Sequence, residues 1–257
     1  INYSNQAMGT VVEPSLEEKA SKGSTSYPES TYYTFLVVCA YICFISSTFC
    51  MYMFLSDGAF SVLLTVSVIM TDYSFVFFIM KVQSQRSTVG VSQQTVRMQI
   101  VVHVLRLYSS RYLAAGVYLP VDSSGDWFFE FAEMVGLGLL LWITFLNHKY
   151  ELSRGPPEPQ FPITLIIIFG LFMGYLTTPP ILGVTIPYQT WHIIPFESVG
   201  ISWMAAVYIE TFAFVPQLFV TSKTERMDGF VSHAFALNFV GRLLNFFVWY
   251  SVLSELM

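Results

Sequence analysis

Hydrophobic and polar positions fall into long blocks rather than short alternations. After a polar stretch to residue 30, seven apolar runs follow one another with brief polar punctuation between them. They cover about Tyr32–Leu55 (A), Phe60–Met80 (B), Met98–Leu119 (C), Trp127–Leu146 (D), Pro162–Leu182 (E), Val199–Val220 (F) and Val231–Leu253 (G). Each run is about 20 residues, the length that crosses roughly 30 Å of hydrocarbon at about 1.5 Å per residue. Such runs must be helical, because lipid offers backbone groups no other hydrogen-bond partner. Turn chemistry marks the breaks at Ser56-Asp57-Gly58, at residues 122–126 and at Gly155-Pro156-Pro157. The connection from Gly183 to Glu197 holds Pro187, Tyr188, Trp191 and Pro195, and its aromatic residues suit the membrane interface.

Composition narrows the class. Of the 257 residues, 54% are hydrophobic and only 11% charged. A soluble domain carries roughly 25% charged residues. Soluble enzymes, nucleic-acid binders and disordered tails are thereby excluded. The expected fold is all-α: a polytopic membrane protein with seven transmembrane helices. Residues 1–30, with Glu13, Glu17, Glu18, Lys19, Lys22 and Glu29, read as a polar arm without the apolar core of a secretory signal. The sequence starts at Ile1 rather than Met: either a presequence has been removed, which would favour an imported organellar protein, or the true start lies upstream.

Charge placement gives an orientation. With seven spans, one face receives the N-terminal arm and the loops B–C, D–E and F–G. That face collects Lys19, Lys22, Lys81, Arg86, Arg97, Lys149, Arg154, Lys223 and Arg226, nine of the twelve Lys and Arg residues. The opposite face receives none, so the first face is expected to be cytosolic, matrix or stromal. The N-terminus lies on it and the C-terminus opposite.

The remaining three cations, Arg106, Arg111 and Arg242, lie inside runs. Intramembrane charges are costly and call for partners. Counted along the helices, Arg106 on C and Asp72 on B are both roughly 12 Å deep from the positive face. Arg242 on G and Glu210 on F match at roughly 15 Å. Glu130 and Glu133 sit three apart toward the far end of D, where either Glu133 pairs with Arg111 or Arg111 snorkels to the interface. One reading has the arginines bind an anion or the carboxylates relay protons. The other has structural pairs fixing helix register, and an acid at comparable depth for every arginine favours it.

Other chemistry is sparse. Cys39, Cys43 and Cys50 share one apolar run without a nearby His or acid, and read as packing residues. His103, His148, His192 and His233 show no metal spacing; His103 precedes Arg106 by one turn and extends a polar stripe. No catalytic residue, metal or cofactor is predicted. Bound lipids are expected.

The stretch Tyr208 to Trp249 reads YIETFAFVPQLFVTSKTERMDGFVSHAFALNFVGRLLNFFVW, and Lys81 onward reads KVQSQRSTVGVSQQ. Both resemble the KDEL receptor family, the seven-helix sorting receptors for ER luminal proteins related to PQ-loop and SWEET-like transporters. The motif residues are Pro216, Gln217, Ser222, Lys223 and Thr224. The likeness runs ungapped from Lys81 to Arg106 and from Ser232 to Trp249. It implies a six-helix receptor-like domain over residues 57–257, preceded by an added helix at 31–56. It also implies a peptide-carboxylate site at Arg106 and Arg242, with Trp203 and Glu210 beside it. Departures are numerous. Leu107, Ser109, Gly200, Gly241 and Val252 stand where the family has Tyr, Asp, Glu, Tyr and Arg. Leu64 and Thr71 stand where it has Arg and His. The sequence ends at Met257 just after run G, so the family's last helix and retrieval tail are expected to be lacking. Asp72 has no family counterpart, and we expect it to occupy the place of the ligand carboxylate beside Arg106.

The resulting expectation is a non-catalytic accessory subunit of a large organellar membrane complex. A mitochondrial or plastid inner membrane is favoured, with ER and Golgi as the alternative. Its partners would be lipids and other membrane subunits, not nucleic acid. Two alternatives stand beside it: a sorting receptor for C-terminal retrieval tetrapeptides, and a PQ-loop-like small-solute transporter.

Overall fold

The computed structural model describes residues 30–55, 61–113, 126–150, 160–177, 196–223 and 228–256. Within them lie eight helices: α1 (Ser30–Leu55), α2 (Ser61–Gln85), α3 (Gln93–Leu113), α4 (Asp126–Lys149), α5 (Ile163–Thr177), α6 (Phe196–Ala213), α7 (Val215–Ser222) and α8 (Gly229–Leu256). They correspond to the seven predicted runs, with run F divided in two. The polar arm, the punctuation at 56–58 and 155–157, and the E–F connection up to residue 195 lie outside the described residues.

Five stretches are long and apolar enough to cross a membrane: Tyr32–Met53, Val62–Gln85, Phe128–Lys149, Gly200–Ser222 and Gly229–Val248. The protein is thus an all-α, polytopic membrane protein. The described part of run E is shorter, 15 residues of α5. Run C differs from expectation at its start. Its helix begins at Gln93, five positions before Met98, where the Ser92 hydroxyl caps the Thr95 N–H at 3.3 Å. Its opening residues are polar, yet Thr95 and Gln99 are buried, so low hydropathy here marks an interior helix rather than a loop. Run F breaks because Pro216 enters the first turn of α7. It brings no N–H to continue the α6 ladder. Asp228 caps α8 through the Phe230 N–H at 2.9 Å.

The chain divides into two units, Ile1–Val37 and Val38–Met257. Of the first, only the opening turns of α1 are described. In the second, α2 packs on α8 and α4, α3 packs on α4 and α6, and α6 packs on α5. α5 buries Gly170 and Gly174, which let its backbone lie close against Ala205 of α6. From Val38 onward α1 adds side chains rather than a closely packed backbone. Tyr41 bonds His233 at 3.0 Å, and Phe44 meets Tyr73 edge-on. Met51 joins a core of Leu64, Val68, Phe129, Trp203 and Val248. A second apolar cluster gathers Met98, Val102, Ala206, Ile209 and Ala213. The buried charges lie on these same helices, beside both clusters.

Candidate functional site: a buried charge cluster

Five helices contribute to one polar cluster. α2 supplies Asp72, α3 supplies His103 and Arg106, α4 supplies Glu133, α6 supplies Glu210 and α8 supplies Arg242. Helical spacing sets His103 and Arg106 on one face of α3, three residues apart. Arg106 Nη1 donates to Glu133 Oε1 at 3.1 Å, and its Nη2 donates to Glu210 Oε2. Glu210 Oε1 pairs with Arg242 Nη1 at 3.0 Å. The Glu210 carboxylate therefore bridges both arginines. His103 Nε2 lies 3.7 Å from Glu133 Oε2 and 3.9 Å from Asp72 Oδ1. Its Nδ1 donates to the Gln99 carbonyl at 2.8 Å. Glu133 and His103 are at most 1% exposed, and Arg106, Glu210 and Asp72 are buried as well.

Two glycines make room for this arrangement. A Cβ on Gly136 of α4 would collide with the Asp72 carboxylate and lie 2.7 Å from His103 Nε2. Only a bare backbone lets α4 pass that close. On α8, a Cβ on Gly241 would sit 2.9 Å from the Ser67 carbonyl and 3.2 Å from Met70 Cβ of α2. A tyrosine, which the family likeness leads one to expect at this position, has no space here without parting α2 from α8.

The sequence-predicted residues sort clearly. Glu210 and Arg242 come together as depth counting indicated, and Glu210 takes Arg106 as well. Asp72, expected beside Arg106, faces His103 instead; Glu133 and Glu210 hold Arg106. Glu133, a candidate partner of Arg111, serves Arg106. Arg111 lies on α3, and its side chain falls outside the described residues. The reason for both differences is the same. Position along a helix fixes height in the membrane but not direction around the axis. Trp203 is buried and packs on Phe129 with ring centroids 5.9 Å apart, as part of the apolar core.

The Pro216-Gln217 pair lies apart from the cluster. Gln217 Oε1 accepts the Ser92 N–H at 2.7 Å, and its Nε2 donates to the Gly90 carbonyl at 2.7 Å. Its backbone N–H donates to Thr95 Oγ1 at 3.0 Å. The side chain thus ties the break between α6 and α7 to the loop that enters α3. Lys81 reaches the same loop by donating to the Val89 carbonyl. Ser222 and Lys223 are exposed at the end of α7, and Thr224 lies outside the described residues.

His103 is the site residue that sequence reading treated only as part of a polar stripe. Its signal was its register with Arg106. Among the described residues no three His, Cys, Asp or Glu side chains gather closely enough to hold a metal ion. The cluster neutralises two intramembrane guanidiniums with the protein's own carboxylates.

Two comparisons bear on this arrangement. A family model described as ER lumen protein retaining receptor matches residues 87–252. No curated protein matches the chain.

Proposed function

The chain belongs to the ER lumen protein retaining receptor family, and from that premise we propose that it keeps the receptor fold without the receptor's ligand. In this reading it is a non-catalytic structural subunit of a larger membrane assembly. Glu210 belongs to the site that the family likeness implies, so the observation that carries the reading is the second carboxylate, Glu133, on Arg106. The family likeness assigns Arg106 and Arg242 to a peptide carboxylate, and here Glu210 engages both while Glu133 takes the second face of Arg106. An incoming carboxylate would have to displace a charged, hydrogen-bonded group already in place. Gly241 supports the same reading, since it brings α8 against the α2 backbone where a ligand-facing tyrosine would otherwise stand.

We place the subunit in an organellar inner membrane, mitochondrial or plastid, with its N-terminus on the matrix or stromal side. The ends of α3, α4 and α7 that carry exposed Arg97, Lys149 and Lys223 support that orientation by the positive-inside rule. Lipids and neighbouring membrane subunits are its partners.

A second reading, a working retrieval receptor in the ER and Golgi, has one observation in its favour. Among the described residues Arg242 Nη2 makes no hydrogen bond, and its side chain is 25% exposed. Native-gel electrophoresis of gently solubilised membranes separates the two. The subunit reading expects the chain in a single high-mass band with no free pool. Migration as a detergent-bound monomer that cycles between Golgi and ER would overturn it.

A further inference from the structure

Among the described residues, the cluster's charges do not balance as drawn from ordinary ionisation. Asp72, Glu133 and Glu210 bring three negative charges, and Arg106 and Arg242 bring two positive ones. A net charge buried among apolar helices is strongly unfavourable. The hydrogen-bond geometry points to the same deficit. The Gln99 carbonyl can only accept, so His103 Nδ1 must carry a hydrogen. The opposite nitrogen, Nε2, faces Asp72 Oδ1 and Glu133 Oε2. Among the described residues, neither of those oxygens has a hydrogen-bond donor. A bare Nε2 lone pair would set three acceptors against one another.

We propose that the Asp72–His103–Glu133 group is a buried proton-binding site: it holds one proton at neutral pH, on His103 as an imidazolium, and that proton completes the charge balance of the five-helix cluster. The groups facing His103 are Asp72 from α2, Glu133 from α4 and, through Arg106, Glu210 from α6 and Arg242 from α8. Phe75 of α2 lies against the imidazole with ring centroids 5.7 Å apart and brings no charge. Helices α5 and α7 also adjoin α3 and contain no acidic or basic residue. With the proton in place the sum is zero, and each carboxylate faces a donor. Gly136 is the positioning residue of this site, because its missing side chain lets Asp72 and the imidazole lie against α4. The proposal does not depend on whether the chain binds a peptide.

The experiment uses the full chain in lipid nanodiscs. Nitrogen-15 spectra of labelled histidine, with His103 assigned by its loss in His103→Gln, report the ring's charge directly. The imidazolium pattern, with both nitrogens protonated at neutral pH, is the expected result. A neutral imidazole would overturn the proposal, including the case in which the proton rests on a carboxyl. Charge compensation gives a second readout. His103→Gln should lower the melting midpoint by about 6–12 °C, since it leaves a buried carboxylate unpaired. The charge-balanced double variant Asp72→Asn/His103→Gln should recover at least half of that loss. A double variant less stable than His103→Gln alone would contradict the neutrality argument. If His103→Gln does not fold, the histidine signals that shift in Asp72→Asn supply the assignment and the charge-state measurement decides.

Discussion

Replacing Glu210 by Gln removes one charge and almost no volume, so its effect isolates the electrostatic role of the bridge. In the native cluster Glu210 Oε1 holds Arg242 Nη1 at 3.0 Å and Oε2 holds Arg106. An amide in its place must turn an NH2 group toward one guanidinium, donor against donor. Arg106 keeps Glu133 at 3.1 Å. Arg242 loses the one carboxylate within ion-pair distance of it among the described residues. Breaking a buried ion pair on one side costs about 3–5 kcal/mol. The Arg242 side chain is 25% exposed and can shift toward a more polar depth, which favours the lower end. About 3 kcal/mol corresponds to a fall in melting midpoint of about 6–12 °C for a chain of this size. The assay is thermal unfolding in nanodiscs. Glu130→Gln serves as the control, because Glu130 is half-buried on the same face of α4 and forms no ion pair among the described residues. It should shift the midpoint by less than about 2 °C. Equal midpoints for the two variants would refute the claim that Glu210 satisfies the arginines.

Other expectations follow from the same geometry. Gly136→Ala should destabilise by about 1–3 kcal/mol through overpacking against Asp72 and His103. Gly138→Ala, whose Cβ meets nothing within 4 Å, should be neutral or stabilising, and paired melting curves compare them directly. Gln217→Leu leaves the Ser92 N–H and Gly90 carbonyl without their side-chain partner. It should cost about 1–3 kcal/mol and speed amide exchange across residues 87–95, which mass spectrometry reads peptide by peptide. Tyr41→Phe removes the hydrogen bond to His233 while keeping the ring contact with Phe77 at 5.7 Å. A loss of about 0.5–1.5 kcal/mol is expected, and no change at all would mean that the bond contributes nothing to holding α1.

Much of the fold was legible because lipid imposes a simple rule on length and polarity. The start of run C was not, since Gln93, Gln94 and Gln99 depress hydropathy whether a helix is buried among others or absent. The Ser92 cap was the local sign that a helix began there. The division of run F was written in Pro216, and its consequence for Gln217 required knowing that the loop before α3 lies alongside. For the site, the membership of Arg106, Glu210 and Arg242 could be read from depth and from the family likeness. Their pairing could not. Asp72 and Glu133 each have a height that suits an arginine, and only the order of helices around α3 turns Asp72 toward His103 and Glu133 toward Arg106. Gly241 was visible as a departure from the family pattern. That it closes α8 onto the Ser67 carbonyl depends on where α2 runs.

The central claim is that the protein's own carboxylates occupy the positions a peptide carboxylate would need. Titration of the purified full chain in nanodiscs with a tetrapeptide bearing a free C-terminal carboxylate, at mildly acidic and at neutral pH, tests it most directly. The account expects no saturable binding tighter than about 1 mM, a free energy weaker than about −4 kcal/mol, at either pH. Micromolar binding that disappears when the peptide carboxylate is amidated would contradict it.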